Sequence, residues 1–141
     1  MERYTLIIRT VFLSFMLILF FTYFLHAESD VTTIERYSED ITGDGLKETI
    51  ELKGILLSED HNYYRKIWVD IHNEDGKEWK ISYEGGYEPK LQLIDVNHDN
   101  IADLFYQSAK GGSGGLYNYN VHTLNNEKVT KIPLPKQQYL K

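Results

Sequence analysis

From Glu48 onward, apolar and polar residues alternate in short runs separated by turn-forming residues. A period of two puts successive side chains on opposite faces of a strand, whereas a helix face needs a period of about 3.6. In Glu48–Leu57, Ile50 and Leu52 alternate ahead of Ile55, Leu56 and Leu57. In Tyr63–His72, Ile67, Val69 and Ile71 share one face and Trp68 and Asp70 the other. Glu78–Tyr83 sets Trp79 and Ile81 against Lys80 and Ser82. Leu91 and Leu93, Ile101–Ser108 and Lys128–Ile132 supply further strands. Leu116–Leu124 puts Tyr117, Tyr119 and Val121 on one face and Asn118, Asn120 and His122 on the other. Asn73-Glu74-Asp75-Gly76 reads as a hairpin turn, because Asp-Gly supplies the positive φ such turns need, and Leu124–Glu127 reads as a second. Glu84–Pro89 reads as a loop, and residues 28–39 as a short helix or an irregular lead-in. The expected fold class is all-β: a small antiparallel sandwich or open barrel of about 6–8 strands.

The first 27 residues stand apart. Met1–Thr10 carries Arg3 and Arg9 against one acid, Glu2; Val11–Leu25 is almost wholly apolar; Ala27 is a small residue suited to a peptidase cut. This order reads as a signal peptide over residues 1–27. An uncleaved membrane anchor is the alternative, since about 20 apolar residues in an N-terminal hydrophobic helix cross a ~30 Å hydrocarbon core. Both readings leave Arg3 and Arg9 in the cytoplasm. The remainder is then secreted or held at the extracytoplasmic face, with the membrane touched only through the N-terminal segment. Residues 28–141 suit a single β-rich exported domain. Without Glu2, Arg3 and Arg9 that part keeps 20 acidic and 13 basic residues, a net charge near −7. An acidic surface argues against nucleic acid as a partner, because phosphates need Lys and Arg. It is compatible with divalent cations. There is no cysteine, so no disulfide can staple the domain, and a bound ion is another way to stabilise it.

Two acidic loops carry the chemistry. Asp40–Glu48 places oxygen-bearing side chains at positions 1, 3, 5 and 9 through Asp40, Thr42, Asp44 and Glu48. Asp95–Asp103 does so through Asp95, Asn97, Asp99 and Asp103. That spacing suits Ca²⁺, which takes six to eight oxygens from a tightly curled backbone. The loops start 55 residues apart, and each leads into an apolar alternating strand, so the domain contains a weak internal repeat, as propeller blades would. An EF-hand is a poorer match. Gly45 and Glu51 occupy its positions 6 and 12 in the first loop, but Thr49–Leu52 reads as a strand, and the second loop has Tyr106 at position 12. The same residues also suit Asx-type turns without metal.

The pattern D-x-[DNT]-x-D-[GN]-x-x-[DE] between strands resembles the calcium loops of integrin-type β-propellers, the FG-GAP or VCBS-like repeats. The resemblance covers the two loops and the strands after them. It implies one or two Ca²⁺ ions, with the Leu46 and Ile101 carbonyls adding a backbone oxygen to each ligand set. The second loop is the expected better site, because Thr42 is a neutral ligand and Glu48 is longer than Asp. The run from Asp95 through the glycines to the Tyr-rich strand also looks like small exported proteins of Gram-positive bacteria.

Lys110–Gly115 formally contains Gly-x-Ser-x-Gly around Ser113, but a nucleophile elbow needs a helix afterwards and Leu116–Tyr119 reads as a strand. No catalytic residue is nominated. Eleven tyrosines could offer a surface to a protein or glycan partner. The expected function is an exported calcium-binding β module with a binding or structural role at the cell surface. The alternatives are a small secreted hydrolase using carboxylates, or a fragment of a larger adhesin or propeller protein.

Overall fold

A computed structural model describes residues 31–57, 62–112, 115–125 and 127–134. The expected signal segment, with its hydrophobic helix, and Ser113 lie outside the described residues. Eight strands follow one another: β1 (Val31–Glu39), β2 (Glu48–Leu56), β3 (Tyr63–His72), β4 (Glu78–Tyr83), β5 (Gly86–Ile94), β6 (Asp103–Ala109), β7 (Tyr117–Asn125) and β8 (Lys128–Ile132). All pair antiparallel within one open sheet of order β1-β2-β3-β5-β6-β7-β8, with β4 beside β3. The all-β expectation holds, and the described residues contain no helix.

A corner in the sheet makes the core. β4 pairs with β3 from His72↔Glu78 to Ile67↔Tyr83. The chain then continues along β3 only for Tyr64↔Gly86 and Tyr63↔Tyr87 before it leaves to pair with β6. The sheet thereby folds over itself into two four-stranded meanders, β1–β4 and β5–β8. The inner face of the first presents Ile50, Leu52, Ile67, Val69, Ile71 and Ile81; that of the second presents Leu91, Leu104, Tyr106 and Leu124. These residues form one buried cluster, and Tyr83 stacks on Tyr106 across it with ring centroids 3.9 Å apart. Each fully buried Leu or Ile contributes about 1.5–3 kcal/mol of transfer free energy. Neither meander could bury its apolar face alone.

Two expectations needed correction. Residues 31–39 are a strand, not a helix or an irregular lead-in. β1 lies at the sheet edge, and a bulge between Thr33 and Glu35 breaks its alternation, so little of it is buried and its period is hard to read. Its side chains still have a task. Tyr37 donates to the Leu91 carbonyl at 2.7 Å and Glu35 accepts from the Leu91 amide at 2.8 Å, which caps the open edge of β5. The second correction is Glu84–Pro89, where strand β5 begins at Gly86. Pro89 is tolerated because the β5–β6 register shifts between Tyr87 and Lys90, where Glu88 takes φ 46°, and an irregularity of this kind needs no ladder donor. The expected turn at Asn73–Gly76 does close the β3–β4 hairpin, with Asn73 and Lys77 bonded to each other.

The outer face of the first meander carries a ladder of alternating charge. Arg36 and Lys53 both engage Glu51, and Lys53 and Lys80 both engage Asp70. Trp68 donates to Asp70 at 2.9 Å, and the Lys80 ammonium lies 4.6 Å from the Trp68 ring centre. The Lys53 hydrogen bond, helped by Arg36, holds the Glu51 carboxyl below its usual range against the opposing effect of burial.

Candidate metal centre

The internal repeat extends well beyond the two loops. Shifting β1 by 55 residues gives Gly86–Ile94, which is β5, and shifting the start of β2 gives Asp103, the start of β6. Each acidic loop therefore joins the first and second strands of its meander. Both loops lie at the same end of the fold and touch: a Cβ placed on Gly43 would come within 2.5 Å of the Ile101 Cδ1.

Their backbones curl alike. Positions 4 and 6 have positive φ in both, at Gly43 (79°) and Gly45 (88°) in the first and His98 (64°) and Asn100 (68°) in the second. Glycine takes this conformation freely and asparagine tolerates it, but a histidine there is strained. The curl brings the amides inward onto the first acid. Asp40 accepts from Gly43 at 2.7 Å and Gly45 at 2.8 Å; Asp95 accepts from His98 at 2.6 Å and Asn100 at 3.0 Å. Burial alone would raise the Asp40 carboxyl, but these amides and that of Thr42 hold it below the ordinary carboxylate range. The fifth position repeats the device, with Asp44 accepting from Leu46 and Asp99 from Ile101.

The ninth position differs from the rest because it is fully buried, at 0% exposure for both Glu48 and Asp103. Glu48 is satisfied on both oxygens: Oε2 accepts from the Ile41 amide at 3.0 Å and Oε1 from the Thr42 hydroxyl at 3.3 Å. Asp103 is not. Its Oδ2 accepts from the amides of Val96 at 2.9 Å and Asn97 at 3.3 Å, while its Oδ1 is buried without a hydrogen-bond partner. A carboxyl oxygen withdrawn from water and left unpaired is costly.

Several loop carboxylate oxygens keep unused acceptor capacity. A carboxylate oxygen has about two lone pairs, so one that accepts a single amide keeps another. Asp95 Oδ2 and both Asp99 oxygens are in this condition. Among the described residues, however, no three His, Asp or Glu side chains converge on a common point. Thr42, Asn97 and the carbonyls of Leu46 and Ile101 are neutral donors and do not alter that. The EF-hand pattern is disfavoured by position: Glu51 lies on the outer face between Arg36 and Lys53, away from the first loop.

Sequence reasoning named the ligand types but not the amide network, which follows from the left-handed residues at positions 4 and 6. Gly43, Gly45 and Asn100 were the available signal. It also left open which face of β7 points inward. No protein-family model, curated protein or solved structure matches the chain.

Proposed function

We propose that the protein is an exported β module that takes up Ca²⁺ in the loop Asp95–Asp103, with a weaker second site in Asp40–Glu48, and that the ions stiffen the end of the fold where both loops lie. The observation that carries this reading is the buried, unpartnered Oδ1 of Asp103 in a loop already bent around inward-facing oxygens. Asp95, Asn97, Asp99, Asp103 and the Ile101 carbonyl would hold the ion. Asp40, Thr42, Asp44, Glu48 and the Leu46 carbonyl would be the corresponding set in the first loop. A divalent ion supplies the positive charge that the Asp103 oxygen lacks and ties together strand connections that no disulfide can tie. Further support comes from the resemblance of both loops to those of FG-GAP and VCBS-like repeats, and from their shared placement between the first two strands of a four-stranded meander. The basic start and apolar run of residues 1–27 support export. The part outside the membrane then acts at the cell surface, binding or bracing a partner.

Calorimetric titration of the full chain, kept in detergent micelles for its apolar N-terminal stretch, tests this. CaCl₂ should bind saturably with about one stronger site per chain, and Mg²⁺ should compete poorly, since it resists shedding its waters for a flexible loop. Absence of Ca²⁺ heat at millimolar concentration would overturn the reading.

A further inference from the structure

Strand β7 turns its polar side inward. Directly opposed residues share a face, and β6 pairs with β7 as Leu104↔His122, Tyr106↔Asn120 and Ser108↔Asn118. Leu104 and Tyr106 belong to the buried core, so the face they share with His122, Asn120 and Asn118 is the inner one. Tyr117 and Tyr119 face out, at 50% and 38% exposure. Lys131 of β8, opposite His122, extends the polar row. Leucine or valine at these positions would simply enlarge the core. Amides and an imidazole there forgo that burial and need partners of their own.

The row borders a cavity of about 380 Å³ that opens between β7 and the end of β4. Tyr83 forms part of its wall and lies 3.4 Å from the His122 Nδ1. Lys110 and Lys131 bring two ammonium groups to it against one carboxylate, Glu84, and Lys131 bonds the Asn120 side chain at 2.5 Å. Burial keeps the Tyr83 phenol protonated, and burial with the Lys131 charge holds the His122 imidazole below its usual range, so both are neutral at pH 7. The charges left facing the cavity are therefore two positive and one negative, among side chains rich in N–H donors. Lys110 follows the far end of β6 from Asp103, roughly 20 Å away at ~3.3 Å per residue, while His122 and Lys131 line the cavity at the other end of the strand, where His122 stands opposite Leu104.

We propose that this cavity binds a small ligand through an oxyanion, carboxylate or phosphate, with Lys110 and Lys131 meeting the charge and Asn118, Asn120 and His122 holding its oxygens. ¹H–¹⁵N spectra of the full chain in micelles, titrated with inorganic phosphate or with glucuronate at constant ionic strength, test it. Saturable shifts should appear at Asn118, Asn120 and His122. His122 should hold its proton to higher pH once an anion sits beside it. Lys110→Gln and Lys131→Gln, both at exposed positions, should each weaken binding about tenfold while the rest of the spectrum is unchanged. A response to phosphate alone assigns a phosphate-bearing ligand, to glucuronate alone a carboxylate sugar, and to both the bare oxyanion. No saturable shift with either probe, shifts matched by sodium chloride, or undiminished affinity in the double lysine variant would overturn the proposal.

Discussion

Asp103→Asn separates a metal ligand from a turn cap. Asparagine has nearly the same shape and keeps one side-chain oxygen for the Val96 and Asn97 amides. It exchanges the unpartnered Oδ1 for an amide nitrogen that is equally unpartnered, so the main change is loss of charge. In chelator the variant should melt within about 1 kcal/mol of the parent, because a buried charge without a counter-ion does little for the folded state. In calcium the two should diverge. An ion at a hundred times its Kd adds about 2.7 kcal/mol. For a domain near 110 residues that is roughly 10 °C of melting temperature. The parent should gain that shift and Asp103→Asn should lose most of it. Glu48→Gln is the internal control: both Glu48 oxygens already have partners, so its calcium-dependent loss should be smaller. The assay is thermal melting of the full chain in micelles, in calcium and in EDTA. An equal drop for Asp103→Asn in both conditions would show that the carboxylate only caps the loop.

Three further perturbations read other parts of the fold. Gly43→Ala combines a positive φ with a clash at the Ile101 Cδ1, so it should cost about 1–3 kcal/mol; Ile101→Val, which deletes that atom, should recover part of the loss, and additive effects would mean the loops do not touch. Glu51 titrates below its usual value when folded, so its stabilisation is present above about pH 4.5 and fades as pH falls through the lower folded value; Glu51→Gln should flatten the fall of melting temperature between roughly pH 5 and 3, and an unchanged slope would discount the charge ladder. Asn120→Val, facing Tyr106 on the inner side, should raise the melting temperature by a few degrees while removing phosphate or glucuronate binding; a fall would mark the polar row as structural.

How legible the fold was depended on how one-sided each strand is. β3 and β4 were readable to the residue because their inner positions, Ile67, Val69, Ile71 and Ile81, are all buried and their outer ones are not. β1 was not, because an edge strand with a bulge buries too little to impose a period. The β4–β5 corner was illegible for a different reason: it depends on β3 lending its edge first to β4 and then to β5, a pairing between residues far apart in the chain. For β7 the alternation was plain but its polarity misleads, since aromatic Tyr117 and Tyr119 lie outside and Asn118 and Asn120 inside. The cavity beside β7 could not be seen from alternation alone.

The two loops also show how one backbone shape is reached by unequal sequences. Both curl through positive φ at positions 4 and 6, yet the first uses Gly43 and Gly45 where the second uses His98 and Asn100. A residue with a Cβ loses about 1–2 kcal/mol in the left-handed region. Glycine recovers that but gives back about 0.5–1 kcal/mol in unfolded-chain entropy. His98→Gly should therefore stabilise the chelator-treated protein by roughly 0.5–1 kcal/mol, and Asn100→Gly by less, since asparagine tolerates the conformation. The His98 side chain is exposed, so little packing is lost. Melting in EDTA measures both. If His98→Gly lowers the melting temperature, the imidazole makes a contact that outweighs the strain. If it raises it, the second loop carries a strained residue and an unpaired buried oxygen together, and both costs fall on the loop that a cation would relieve.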